Sequence, residues 1–101
     1  MYARVSTYEV PADAGDQAIR GFEEQPIENE EGFGAGYLLI DRESGKALSI
    51  TMWESKEALE RSAERANQMR SQVMQGASGQ TTDVTNYEVA VTKKPSASRA
   101  I

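Results

Sequence analysis

The stretch from Gly34 to Trp53 limits what this chain can fold into more than any other. It reads as two strands joined by a tight turn. The turn is Asp41-Arg-Glu-Ser-Gly45, with Gly45 suited to a left-handed closing residue. The flanking runs are rich in Leu, Ile, Thr, Tyr and Trp, which fit a pleated surface. A four-residue loop, Arg42 to Gly45, sets Asp41 opposite Lys46. Ala35, Tyr37 and Leu39 then share a face with Leu48, Ile50 and Met52. Gly34, Gly36, Leu38 and Ile40 share the other with Ala47, Ser49, Thr51 and Trp53. A three-residue loop, Glu43 to Gly45, shifts the cross-strand partners and leaves each strand's own alternation intact. Both faces are largely apolar, whereas a sheet with one wet face alternates apolar and polar. Helices cover only one face. A second copy packed sheet to sheet is expected on the other, making a homodimer.

The remaining elements follow from local signals. Tyr2 to Val10 is a strand with Ala3, Val5 and Thr7 on one face and Tyr2, Arg4, Ser6 and Tyr8 on the other. Pro11 ends it. Asp13 is a good N-cap for a helix from Ala14 to Gln25, with an apolar stripe of Ala14, Ala18, Ile19 and Phe22. Pro26 marks its end or a kink. Ser55 caps a long helix, Lys56 to Gln75, and Gly76 to Gly79 is its exit loop. Thr82 to Thr92 is the last strand. The expected organisation is one domain over residues 1–92 and a polar tail over 93–101. The order β-α-β-β-α-β gives an α+β fold of ferredoxin-like type: a four-stranded antiparallel sheet with two helices on one face.

Composition removes several kinds of chemistry. The 101 residues include no cysteine and no histidine. That leaves no disulfide, no thiolate metal site, no imidazole base near neutral pH and no proximal histidine for haem. The net charge of −5 disfavours nucleic acid and anionic membranes as partners. No apolar run approaches the roughly 20 residues that span a bilayer. Met1 to Val5 enter a strand at once and leave no room for a signal peptide, so the expected location is cytoplasmic. Glu23, Glu24, Glu28, Glu30 and Glu31 lack the ordered oxygen spacing of a calcium loop and read as solvated surface. No metal is expected.

The hairpin face with Trp53 offers a candidate site. One large ring stands among Gly34, Gly36, Ala47, Ser49 and Thr51. Small residues beside an aromatic wall make a hollow, or they let the ring or a helix pack close. On the long helix Leu59, Ala63, Ala66, Val73 and Met74 form one stripe, and Glu60, Arg61, Glu64, Arg65 and Gln68 form the opposite face. Arg70 falls inside the apolar stripe and Asn67 on its edge. An arginine there meets an anion or carbonyls, or it snorkels to water from the helix end.

Gly32-Phe33 before the hairpin, and Trp53-Glu54-Ser55-Lys56-Glu57-Ala58-Leu59 opening the second helix, resemble the antibiotic biosynthesis monooxygenase family over about residues 2–92. The resemblance implies a dimeric α+β barrel with a pocket between sheet and helices in each protomer. It also implies that the Trp53 position lines the pocket. Cofactor-independent members of the family oxidise electron-rich phenols with O₂, and another branch degrades haem. Family positions held by Asn, Tyr and His fall here on Ser49, Leu59 and Ala63, and the haem branch's first-strand Asn falls near Thr7. The expectation is a homodimer that binds a small aromatic or apolar molecule at Trp53, Ser49, Thr51, Thr7, Asn67 and Arg70. No haem and no other cofactor is expected. If the chain is an enzyme, the reaction implied is cofactor-independent oxygenation, with Tyr8, Tyr37 and the carboxylates the remaining candidates for a base. The alternative is a non-catalytic, ligand-binding or stress-responsive barrel module.

Overall fold

The computed structural model describes residues 1–96. Of the proposed tail, residues 97–101 lie outside the described part. Four strands form one antiparallel sheet: β1 Tyr2–Glu9, β2 Phe33–Asp41, β3 Lys46–Trp53 and β4 Gln80–Glu88. Their spatial order is β2-β3-β1-β4. Helices α1 Gly15–Glu24, α2 Lys56–Arg61 and α3 Ala63–Gly76 lie on one face. Short 3₁₀ turns precede and follow α1, at Ala12–Ala14 and Ile27–Asn29. This is the α+β, ferredoxin-like arrangement that the element order predicts. Among the described residues no helix is long and apolar enough to cross a membrane.

The hairpin turns through Arg42 to Gly45. Asp41 pairs with Lys46, Leu39 with Leu48, Tyr37 with Ile50 and Ala35 with Met52. Gly45 takes φ +76°, as the left-handed closing position requires. The Asp41 carboxylate accepts the Glu43 amide at 3.1 Å. Hydrogen bonds from the Ser44 side chain and then from that amide hold it below the usual carboxylate range. The pairing departs from regularity at Gly34, where a bulge sets Phe33 rather than Gly34 opposite Trp53.

Two boundaries differ from expectation for reasons outside local propensity. Asp13 caps nothing: it sits inside the 3₁₀ turn, and Ala14 precedes α1 without a side-chain cap. The long helix breaks at Ser62. Its hydroxyl donates to the Leu59 carbonyl at 2.8 Å, and its φ and ψ of −82° and −7° lie at the edge of the helical region. Ser55 caps as predicted, accepting the Ala58 amide at 3.1 Å. The last strand starts and ends earlier than Thr82 and Thr92.

The core has two parts on the helix side of the sheet. Tyr8, Val10, Ala18, Ala47, Met74 and Ala77 fill one, and Trp53, Ala58 and Leu59 the other. On the far side no element among the described residues covers the sheet. Tyr37, Leu39 and Tyr87 are about half exposed there, next to partly buried Leu48, Ile50 and Met52. The acidic surface is partly neutralised: Arg65 reaches Glu30 at 3.1 Å and Arg61 reaches Glu31 at 4.0 Å.

Candidate functional site

Strand alternation sends Arg4, Ser6 and Tyr8 of β1, and Ala47, Ser49 and Thr51 of β3, toward the helices. Arg4 stands opposite Thr51, Ser6 opposite Ser49 and Tyr8 opposite Ala47. These side chains floor a cleft. Its walls are Ala18, Phe22 and Gln25 of α1 and the residue after it, Ile27, Leu38 of β2, and Ala66, Met69, Arg70, Val73 and Met74 of α3. The cavity is about 50 Å³, room for three or four waters, roughly. Met69 and Met74 are unbranched and rotatable, so the walls can re-pack around something larger.

The floor is polar and ordered. The Tyr8 and Ser49 hydroxyls share a hydrogen bond of 2.7 Å. Arg4 is only 4% exposed. Its guanidinium donates to the Leu59 carbonyl at 2.7 Å and to Ser62 Oγ at 3.2 Å, so a strand residue holds the junction between α2 and α3. Its Cζ also lies 5.8 Å from the centre of the Trp53 ring. Burial first, and then the charge of Arg70, push the Arg4 pKa down, while Tyr8 acts the other way. Arg4 still carries its charge near neutral pH, as arginines do in proteins.

The residues singled out from sequence separate in space. Ser49, Thr51 and Arg70 line the cleft. Arg70 is half-buried, and its one hydrogen bond among the described residues is a long one to Asn67 Oδ1, at 3.4 Å. Asn67 itself is exposed and does not line the cleft. Thr7 belongs to the opposite sheet face, where its hydroxyl meets Thr82 at 2.8 Å, because one step along a strand reverses the side chain. Trp53 is fully buried and does not line the cleft. Its Nε1 donates to Thr51 Oγ1 at 3.0 Å, and Phe33 packs edge-on at 5.6 Å and 73°. The ring is packed among its neighbours and does not wall a hollow. Arg4 was given no role from the sequence. The available signal was a cation in mid-strand on the helix-facing side.

No family model matches the sequence. The uncharacterised protein Rv2557 of Mycobacterium tuberculosis is 33% identical over 91 residues, covering 87% of this chain. The chain spans 41% of the length of the curated relatives it matches. Among solved structures, a monooxygenase from the ActVA-Orf6 gene of Streptomyces coelicolor, in complex with nanaomycin D, superposes with a TM-score of 0.73 at 15% identity. That match covers 94% of this chain and 92% of the other. The haem degrader MhuD of Mycobacterium tuberculosis, with two haems in its active site, superposes with a TM-score of 0.67 at 26% identity, covering 93% and 100%.

The chain has the antibiotic biosynthesis monooxygenase fold.

The comparison with MhuD overturns one expectation, the exclusion of haem. Absence of histidine removes one axial ligand type. It says nothing of the apolar walls that hold a macrocycle, of cations that meet its propionates, or of other axial donors such as tyrosine. In this monooxygenase fold the cleft has apolar walls, two guanidinium groups and one phenol.

Proposed function

We propose that the cleft binds a small, largely apolar aromatic molecule and that the domain promotes its oxygenation by O₂. The observation that carries this reading is the cleft itself: apolar walls over a floor of hydroxyls, with Arg70 at its side. Arg70 would orient an ionised substrate oxygen, and Ser49 and Thr51 would supply hydrogen bonds. In the simplest case a benzylic CH₂ becomes a carbonyl. One oxygen atom enters the substrate and the other leaves as water, and the substrate supplies the electrons. Incubation with anthrone under O₂, followed by oxygen uptake, should show turnover above the uncatalysed rate. Arg70→Gln should lower that turnover by about tenfold or more, as expected for the loss of one charged hydrogen bond. Binding without turnover would favour the non-catalytic module instead, and neither binding nor turnover would remove both readings.

A second reading is supported by MhuD, which binds haem at 26% identity to this chain. Here Arg4 and Arg70 would meet propionates, and Tyr8 is the phenol among the lining residues. Bound haem would supply oxygen activation. Titration with hemin, read in the Soret band, separates this reading from the first.

The same proposal places a second copy on the uncovered sheet face. Tyr37, Leu39 and Tyr87 leave too much apolar surface there for a free face. Sedimentation should find a dimer at micromolar concentration. A stable monomer under those conditions would end this part of the proposal.

A further inference from the structure

Two arginines line one small cleft, and no residue lining that cleft carries a carboxylate. Arg4 is nearly fully buried, and its acceptors are neutral: one carbonyl and one hydroxyl. Arg70 has only a long bond to a side-chain amide. Among the described residues neither arginine takes part in an ion pair; the cations that do are Arg42, Lys56, Arg61 and Arg65. Buried arginines ordinarily meet a carboxylate, since a charge taken out of water without a counter-charge is costly. Here the like charges also repel each other. The imbalance is local, for the chain as a whole carries net charge −5. An anion entering the cleft would be attracted by both groups at once. Guanidinium forks match planar carboxylates in particular. The rest of the lining, including Phe22, Ile27, Leu38 and Val73, is apolar and suits a hydrocarbon or aromatic body.

We infer that the ligand of this cleft is an aromatic acid: a flat apolar body bearing an ionised carboxylate that faces Arg4 and Arg70. The inference rests on the reading of the cleft as a binding site, and it goes further by fixing the charge of what binds. A neutral phenol of the same size would leave both cations unmatched.

The test is calorimetric titration of the whole chain with 2-naphthoate and with its neutral isostere 2-naphthamide, at neutral pH and low salt. The acid should bind at least about tenfold more tightly than the amide, and its advantage should shrink as salt is raised. Arg70→Gln should remove most of the acid's advantage while leaving amide binding nearly unchanged. Arg70→Lys should restore part of it. Because Arg4 also ties two helices together, its charge is tested with Arg4→Lys, which should keep a preference for the acid. Equal affinity for acid and amide, or an Arg70→Gln protein in which the acid's advantage is undiminished, would overturn the inference and leave the binding site standing. Failure of both probes to bind the unaltered protein would overturn the binding site and this inference with it.

Discussion

Trp53→Ala should cost about 3–5 kcal/mol of folding stability. That is a large share of the roughly 5–15 kcal/mol by which a domain is stable. The ring is the largest fully buried side chain, and everything around it depends on its presence. Phe33 packs on its edge, Arg4 lies over its face and Thr51 accepts from its nitrogen. Truncation would leave a cavity the size of an indole, with Arg4 and the Thr51 hydroxyl beside it. Urea denaturation should show a large fall in midpoint with little change in slope. Trp53→Phe keeps an aromatic body but loses the Thr51 bond, and should cost about 1–2 kcal/mol. A loss below about 1 kcal/mol for Trp53→Ala would mean that the ring supports little. Ligand binding by the Trp53→Phe protein then separates the two roles of the indole. Affinity close to that of the unaltered protein is expected, because the ring does not line the cleft.

Gly45→Val should be nearly as damaging, at roughly 3 kcal/mol or more. Gly45 sits at φ +76°, where a β-branched side chain is strained. A Cβ there would collide with the Val10 carbonyl oxygen, a backbone atom that cannot rotate away. The Val10 amide also donates to the Gly45 carbonyl at 2.9 Å, so the turn ties the hairpin to the end of β1. Strain at this one residue therefore reaches both central strands. The matched control is Gly76→Ala. A Cβ at position 76, the last residue of α3, meets nothing within 4 Å, and its φ is not positive. That substitution should be neutral or stabilise by up to about 1 kcal/mol through the unfolded chain. Thermal unfolding of the two variants side by side checks both, and equal midpoints would refute the argument for the turn.

The hairpin register was readable because strand alternation and the Asp41–Gly45 turn are local signals. Each residue's face follows from its neighbours in sequence. What failed to show was everything decided by a partner far along the chain. Ser62 looks like an ordinary mid-helix residue until Arg4, 58 positions earlier, donates to its hydroxyl and to the Leu59 carbonyl. Trp53 beside small residues fits a hollow or a packed ring equally well. The outcome turned on Phe33, which the bulge brings opposite the indole in the place regular pairing gives to Gly34. Asn67 on the edge of a helical stripe was within one step of the cleft, and the break at Ser62 means that α2 and α3 do not share one continuous stripe. The sequence contains no histidine, yet a cofactor is held by more than its axial ligand.

The bulge at Gly34 also makes β2 unequal in its tolerance of lost residues. Removing any one of Leu38, Leu39 and Ile40 reverses the parity of the strand on one side of the gap, sending partly buried side chains outward and exposed ones inward. Gly34 is already outside the pairing count. Losing it would leave Phe33 opposite Trp53 and Ala35 opposite Met52, now through an unbroken ladder. One position in the strand is thus a spare, and it lies at the end where the ring of Trp53 is sealed.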